Sequence, residues 1–351
     1  MIDRKEDIKV SVIVPVYNSA SNNRLANMLE CLQNQTLREI EFVLVFDSPT
    51  DNSYAIACQM VGKDQRFVFL NNETNMHIGF SRNIGLDTST GEYIAFADDD
   101  DMMVPDMYEK LYILAKKTNS DIVASPAIFN NNGCVSIEFF DAESSDLQQY
   151  FVDRLVGELS DSERKKEPYP YLWGNGNMWN KIFKRSLIID SNIRFVDTKQ
   201  CCFEDVLFQL ELFCQTNKIA CDTTPYYTHI YYGDKSNTST TDEYNSGLNK
   251  CHFLSKLIEL HEEFPRFINK KRVEKRTLDM LITLLSGGNT ISKIKKTLDC
   301  FDGIRLYRVI SWYPSFLREN EIKVQIYDLI YIYIIKIYLR IKHGISICSV
   351  R

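Results

Sequence analysis

Residues 93–101 read Tyr-Ile-Ala-Phe-Ala-Asp-Asp-Asp-Asp, five apolar or aromatic residues running straight into four aspartates. A short continuous apolar run that ends abruptly in polar residues reads as a strand buried on both faces. The chain on its N-terminal side repeats this form. Val10 to Val16 is a β-branched run followed by Tyr17-Asn18, and Glu41 to Phe46 is a second run closed by Asp47-Ser48-Pro49-Thr50-Asp51. Arg66 to Asn71 reads as a third strand. Helical spacing lies between them: Leu25, Met28, Leu29 and Leu32 within Arg24 to Gln35, then Ser53 to Val61, then a helix from Ser81 that stops before Gly91. Strands alternating with helices predict an α/β fold built on a doubly wound, mainly parallel sheet. Ligands of such sheets bind beyond the carboxyl ends of the strands. Three polar clusters fall at three such ends.

The aspartates suit a diphosphate carried with a divalent cation, because Mg2+ and Mn2+ prefer hard oxygen ligands. Carboxylates two apart on an extended segment point the same way, so Asp98 and Asp100 are expected to share a site. An acidic helix start before Val104-Pro105 is the plainer alternative. The buried strand before the cluster and the two polar strand ends beside it favour the binding site.

Beyond residue 120 the alternation loosens. Asp121 to Ala127 reads as a strand and Glu143 to Leu159 as a helix. Asp205 to Cys214 reads as helical, and Cys221 to Tyr232 as an aromatic strand. From about Ser246 the pattern is helical, in Leu248 to Glu263, Lys270 to Leu285, Ile291 to Phe301 and Glu321 to Lys342. A boundary is placed near residue 240. Residues 1–240 are expected to form one domain and residues 241–351 a C-terminal helical region. The segment Gln325 to Lys342 is rich in Ile and Tyr, with Lys336, Arg340 and Lys342 near one end. It suits a helix lying at a membrane surface, so residues 321–343 are an expected peripheral contact. A helix packed on the catalytic core is the equal alternative.

The whole chain has 351 residues and a net charge of -6, which gives no global case for nucleic acid as a partner. Its ten cysteines include no CxxC pair, so a zinc site is not expected. The opening MIDRKEDIKV is charged and leads directly into a strand, and a reducing cytoplasm is the expected setting.

The segments VSVIVPVYN (10–18), EFVLVFDSPTDNS (41–53) and SRNIGLDTSTGEYIAFADDDD (81–101) resemble family 2 glycosyltransferases of the GT-A fold, in both order and spacing. MWNKIFKRSLI (178–188) is similar to the Trp-Asn-Lys segment of capsule and lipopolysaccharide members, and FEDVLF (203–208) to their Glu-Asp acceptor motif. The resemblance covers roughly the first 240 residues and implies that 1–240 is the catalytic domain, with 1–110 its nucleotide-sugar half and 111–240 its acceptor half. It implies an inverting transfer of sugar from a nucleotide diphosphate sugar, UDP-linked by preference, to a glycan or lipid-linked glycan in bacterial surface polysaccharide synthesis. The implied setting is the cytoplasm, or the inner face of the plasma membrane.

Carried over to matching positions, the resemblance implies that Pro15 and Tyr17 line the base pocket and that Asp47 bonds the base edge. Arg82 would approach the base or phosphates, and Asp98 the ribose or sugar. Asp100 would ligate Mg2+ or Mn2+, and Asp205 would be the general base, with Glu204 beside it. Two positions depart from the pattern. Phe46 stands where an acid is usual, and Asp99 stands between the two metal-motif acids in place of the frequent Ser, which adds charge to the donor site. Trp173, Asn180, Lys181 and Glu204 are the acceptor-side expectations, with Trp173 equally well read as a core residue. His229 or Lys235 is a further candidate at the metal or diphosphate, although a lone His in an aromatic strand is more often structural.

Two rival classes were weighed. A sugar nucleotidyltransferase usually shows a glycine-rich phosphate loop after its first strand, and PVYNSASNN (15–23) has none. A scaffold of the same fold without catalysis fits poorly with intact Asp98, Asp100 and Asp205.

Overall fold

The structure is a computed structural model that describes residues 7–138, 141–156, 176–232, 243–270, 272–273 and 276. Its centre is a seven-stranded sheet. The strands are β1 (Val10–Val16), β2 (Ile40–Phe46), β3 (Phe67–Asn71), β4 (Tyr93–Phe96), β6 (Ile122–Ala124), β9 (Lys181–Lys184) and β10 (Ile219–Cys221). Their order is β10-β6-β9-β4-β1-β2-β3. Every pairing is parallel except those of β9, which runs antiparallel to both β4 and β6. The sheet is therefore mixed.

Helices cover both faces, as the apolar runs require. Alternation along β1 sends Val10, Val12 and Val14 into one core and Ile13 into the other. The first core packs α1 (Arg24–Gln33), α2 (Ser53–Val61) and α4 (Met107–Thr118) through Leu25, Leu29, Ala57, Val61 and Leu111. The second packs α3 (His77–Thr88), α5 (Leu147–Val156), α6 (Arg185–Asp190) and α7 (Glu204–Gln215). There Phe96 meets Phe183, Phe195 and Phe208 edge to face, and Phe195 stacks on Phe208 at 4.0 Å. Helix α8 (Glu243–Glu263) joins this second core through Phe253, Leu254 and Leu257. The boundary expected near residue 240 falls in 233–242, outside the described residues, as does the expected membrane-surface segment 321–343. No helix among the described residues is long and apolar enough to cross a membrane.

A second, four-stranded sheet was not separated in the sequence reading. It comprises β5 (Met102–Met103), β11 (Tyr227–Tyr231), β7 (Ala127–Asn131) and β8 (Cys134–Ile137), in the order β5-β11-β7-β8. The strands read as Asp121 to Ala127 and Cys221 to Tyr232 each break in two. β6 and β10 lie in the large sheet, and their continuations β7 and β11 pair in the small one. Pro126 sits at one break and Pro225 at the other. Proline has no N–H for the ladder, so both strands leave the large sheet there.

Asn180 holds the first bend. Its side-chain amide donates to the Ser125 carbonyl at 2.8 Å, while the Ser125 N–H donates to the Asn180 carbonyl at 3.0 Å. Removing the Asn180 amide leaves a buried carbonyl without that partner, at a cost of about 1–3 kcal/mol. Asn180→Ala should lower the urea midpoint by a matching amount, with the slope unchanged. An unaltered midpoint would show that the bend does not need this bond.

Candidate active site

Strand order reverses between β1 and β4. From β1 the chain proceeds outward through β2 and β3, then returns to place β4 on the other side of β1. The carboxyl ends of β1 and β4 therefore border the crevice where sheets of this kind bind ligands. Tyr17 follows one end and Asp98 the other.

The aspartates do not continue β4. The chain turns at Asp99 and Asp100, so these residues do not alternate as on an extended strand, and Asp101 rather than Asp100 comes beside Asp98. Asp98 is half-buried, and its N–H donates to the Tyr227 hydroxyl at 3.1 Å. Asp99 turns toward the loop after β1, where its Oδ2 accepts from the Tyr17 N–H at 2.9 Å and from the Ser19 hydroxyl. The Asp100 carbonyl accepts from the Tyr232 hydroxyl at 3.1 Å. Asp101 is fully buried, and its carboxylate takes the His229 Nδ1 at 3.0 Å and the Ile230 N–H at 2.9 Å.

Donor atoms of Asp98, Asp101 and His229 lie within 4.8 Å of one another. Asp100, the expected ligand, is not in that trio. Two carboxylates and an imidazole fit a divalent cation such as Mn2+ or Mg2+. The electrostatics fit as well. Burial and the neighbouring aspartates push Asp99 up to about 7 and Asp100 up to about 8, and burial raises Asp101 also. His229 moves the opposite way from a buried imidazole. Burial works against its charge, but the bond to Asp101 and the surrounding carboxylates raise it to about 9. The site is short of positive charge, and the residues that could hold a cation are Asp98, Asp101 and His229.

His229 is aimed by its surroundings. Its ring lies parallel to Trp179 at 5.7 Å, and Trp179 stacks in turn on Tyr227 at 4.4 Å. Phe129 meets the imidazole edge to face. Trp179 and Asn180 thus support the strand that delivers His229. Lys181, at the start of β9, is equally buried, and its ammonium donates to the Asn177 carbonyl and to Asn180 Oδ1. Burial lowers its pKa to about 8. Asn180 and Lys181, expected at the acceptor, lie beneath the surface at 0% and 1% exposure, where a sugar does not reach them. Trp173 and Lys235 lie outside the described residues.

Helix α7 brings in the second acid pair. Phe203 takes a left-handed conformation, φ 58°, and turns the chain into the helix whose first residues are Glu204 and Asp205. Arg82, buried on α3, donates to Glu204 at 2.9 Å and lies 3.5 Å from Asp98. One guanidinium therefore joins the β4 cluster to the acids of α7. The structure places it against these carboxylates rather than at the base pocket. Burial and Asp205 raise Glu204 to about 7 against the pull of Arg82. Burial also raises Asp205, again opposed by Arg82. Asp205 is half-buried, with its Oδ1 accepting from the Val206 N–H at 2.9 Å. Gly176 lies against it, and a Cβ there would come within 3.0 Å of Oδ2.

At the far side of the crevice, Asp47 Oδ1 accepts from the Asn72 amide at 2.8 Å and the Met76 N–H at 2.7 Å. Pro15 and Tyr17 border the same crevice and are partly exposed. Asn72 and Ser19 were missed from sequence, although each lies just past a strand end and the rule that flagged Asp47 applied to both.

Comparison with known proteins agrees with this architecture. Residues 11–159 match the family model described as glycosyl transferase family 2. Over those residues the chain is similar to that family's domain. It is 31% identical over 234 residues to a cholesterol galactosyltransferase of Borreliella burgdorferi, a match covering 66% of this chain and 62% of that one. It is 30% identical to the uncharacterized glycosyltransferase YibD of Escherichia coli, over 54% of this chain and 52% of the relative. The matched segments thus span less than two thirds of these relatives. Among solved structures, S. aureus TarS residues 1–349 in complex with UDP-GlcNAc superposes with a TM-score of 0.65 at 20% identity, over 97% of this chain and 93% of that one. The fold is the GT-A type seen there.

A carboxyl whose pKa is higher folded than unfolded keeps its proton in the folded state across the interval between the two values. The folded state then binds more protons, so stability falls as pH rises through that interval. For this cluster the interval runs from the ordinary range, about 4, to about 8. Without divalent cation, Tm should fall between about pH 5 and 8. Added Mn2+ should restore more of it at the upper end, because a bound cation stabilises the folded state. An equal Mn2+ response at both ends would remove the cluster as the cation site.

Proposed function

We propose that this chain is an inverting glycosyltransferase that moves a sugar from a UDP-sugar to a hydroxyl of a glycan or lipid-linked glycan, in building a bacterial surface polysaccharide. The observation that carries the reading is the chain of contacts from Asp98 through Arg82 to Glu204, which sets the cation-binding acids and the α7 acids around one crevice. The name of the Borreliella burgdorferi relative gives galactosyl transfer to cholesterol, and TarS was solved with UDP-GlcNAc. The second supports a UDP-sugar donor, and the first supports an acceptor hydroxyl on a lipid.

The residues divide the chemistry among them. Tyr17, Pro15 and Asp47 receive the base at the ends of β1 and β2. Asp98, Asp101 and His229 hold Mg2+ or Mn2+, with Asp100 beside them. When bound, the cation neutralises charge on the departing diphosphate. Asp205 takes the acceptor hydroxyl proton as that oxygen bonds to the anomeric carbon from the side opposite the phosphate. The bond between the anomeric carbon and the phosphate oxygen breaks, and its electron pair leaves on UDP. A raised carboxyl pKa suits a general base working near neutral pH. Arg82 holds Glu204, so that Asp205 remains the acid free to face the acceptor. The proposed setting is the cytoplasmic side of the membrane, with residues 321–343 as its contact.

Two measurements test the reading. In a thermal-shift screen of UDP, GDP and CMP with Mn2+, UDP should give the largest rise in Tm. Asp205→Asn should keep the UDP shift while UDP release from UDP-sugar plus acceptor falls roughly a hundredfold or more. A normal rate in that variant would move the base elsewhere.

A further inference from the structure

The loop after β1 is held from two sides. On the β2 side, Ser19 donates its N–H to the Ser53 hydroxyl at 2.9 Å, and the Ala20 N–H donates to Asp51 Oδ2 at 2.9 Å. Asn18 Oδ1 accepts from the Thr50 N–H at 2.7 Å. These bonds make the ends of β1 and β2 one unit, the unit that carries Tyr17 and Asp47. On the side of the aspartate turn, one carboxylate oxygen bonds the loop twice. Asp99 Oδ2 accepts from both the Tyr17 N–H and the Ser19 hydroxyl. Ser19 is buried and sits at the centre, bonded to the α2 start through its N–H and to the aspartate turn through its hydroxyl.

Asp99 is thus the side chain of the turn that points away from the cation-binding group and into the loop bordering the base crevice. Its two immediate neighbours are Asp98, in the trio of cation-binding donors, and Asp100. Settling of the turn around a cation has a direct route to the Tyr17 loop through this oxygen, because the two bonds end on the loop's own backbone and on its central serine.

We propose that Asp99 is a positioning residue that couples the two ends of the donor crevice, so that a cation on the aspartate turn sets the Tyr17 loop for the nucleobase. The inference rests on the donor site proposed above. It assigns Asp99 no contact with the donor itself. Coupling between sites is reciprocal and is measured as a ratio of affinities.

The test uses the full chain with two probes, UDP and uridine, each titrated with and without Mg2+ and followed by ligand-dependent Tm. Uridine has no phosphates to touch the cation, so any gain in its affinity on adding Mg2+ passes through the protein. In the wild type Mg2+ should tighten uridine about fivefold or more. Asp99→Ala should bring that ratio to about one while UDP with Mg2+ still binds. Asp99→Asn keeps an oxygen able to accept both bonds and should restore the ratio. Should Asp99→Ala fail to fold, Ser19→Ala removes one of the two bonds and should lower the ratio alone. A wild-type ratio of about one overturns the proposal, as does a wild-type ratio retained in Asp99→Ala or Ser19→Ala. If the wild type binds no UDP with Mg2+, the donor-site reading fails and this proposal with it. UDP binding with an unchanged ratio in the variants defeats the proposal alone.

Discussion

Four carboxylates on one turn repel one another, and the surroundings of that turn are what make it tenable. Arg82 faces Asp98, His229 faces Asp101, and backbone or hydroxyl donors satisfy Asp99. Each of these partners comes from a different part of the chain. Arg82 is on α3, His229 on β11 and Ser19 after β1. The turn therefore fixes where three otherwise separate elements must meet. Burial first, and the neighbouring aspartates second, raise the pKa values of Asp99 and Asp100, a cost that a cation bound with a diphosphate would offset.

The second sheet makes sense in these terms. Strands β6 and β10 belong to the large sheet, yet their continuations bend away and bring His229 over the aspartates. Pro126 and Pro225 end the ladders at matching places, and Asn180 ties down the first bend. Trp179 then fills the space behind the bend and presents a flat surface to the imidazole. A buried Trp-Asn-Lys segment is thus a support for the site. It shapes the crevice without lining it.

The parallel half of the fold was legible because its strands are buried on both faces and its helices show apolar spacing. Ser53 to Val61 was read with the bounds that the structure has. The places of Tyr17, Asp47 and Asp98 at strand ends were legible because each follows a buried apolar run. What escaped the reading depends on contacts between distant segments. Nothing local in YYTHIYYGD says that His229 pairs with Asp101, and nothing local in ADDDD says that the chain turns at Asp99. The two prolines were visible signals that long strands must break, and they were not used. Asn180 and Lys181 are expected at the acceptor from the resemblance, and nothing local in the segment shows that both are satisfied inside the molecule.

The central claim is that the turn after β4 and the strand β11 together hold a divalent cation at the donor diphosphate. Crystals grown with Mn2+ and UDP test it most directly, through the anomalous scattering of manganese. The account predicts one strong peak among the carboxylates of Asp98 and Asp101 and the His229 imidazole, about 2.0–2.3 Å from its oxygen and nitrogen ligands, with the diphosphate completing the shell. A peak elsewhere, or UDP bound in the crevice with no peak at the turn, would contradict it.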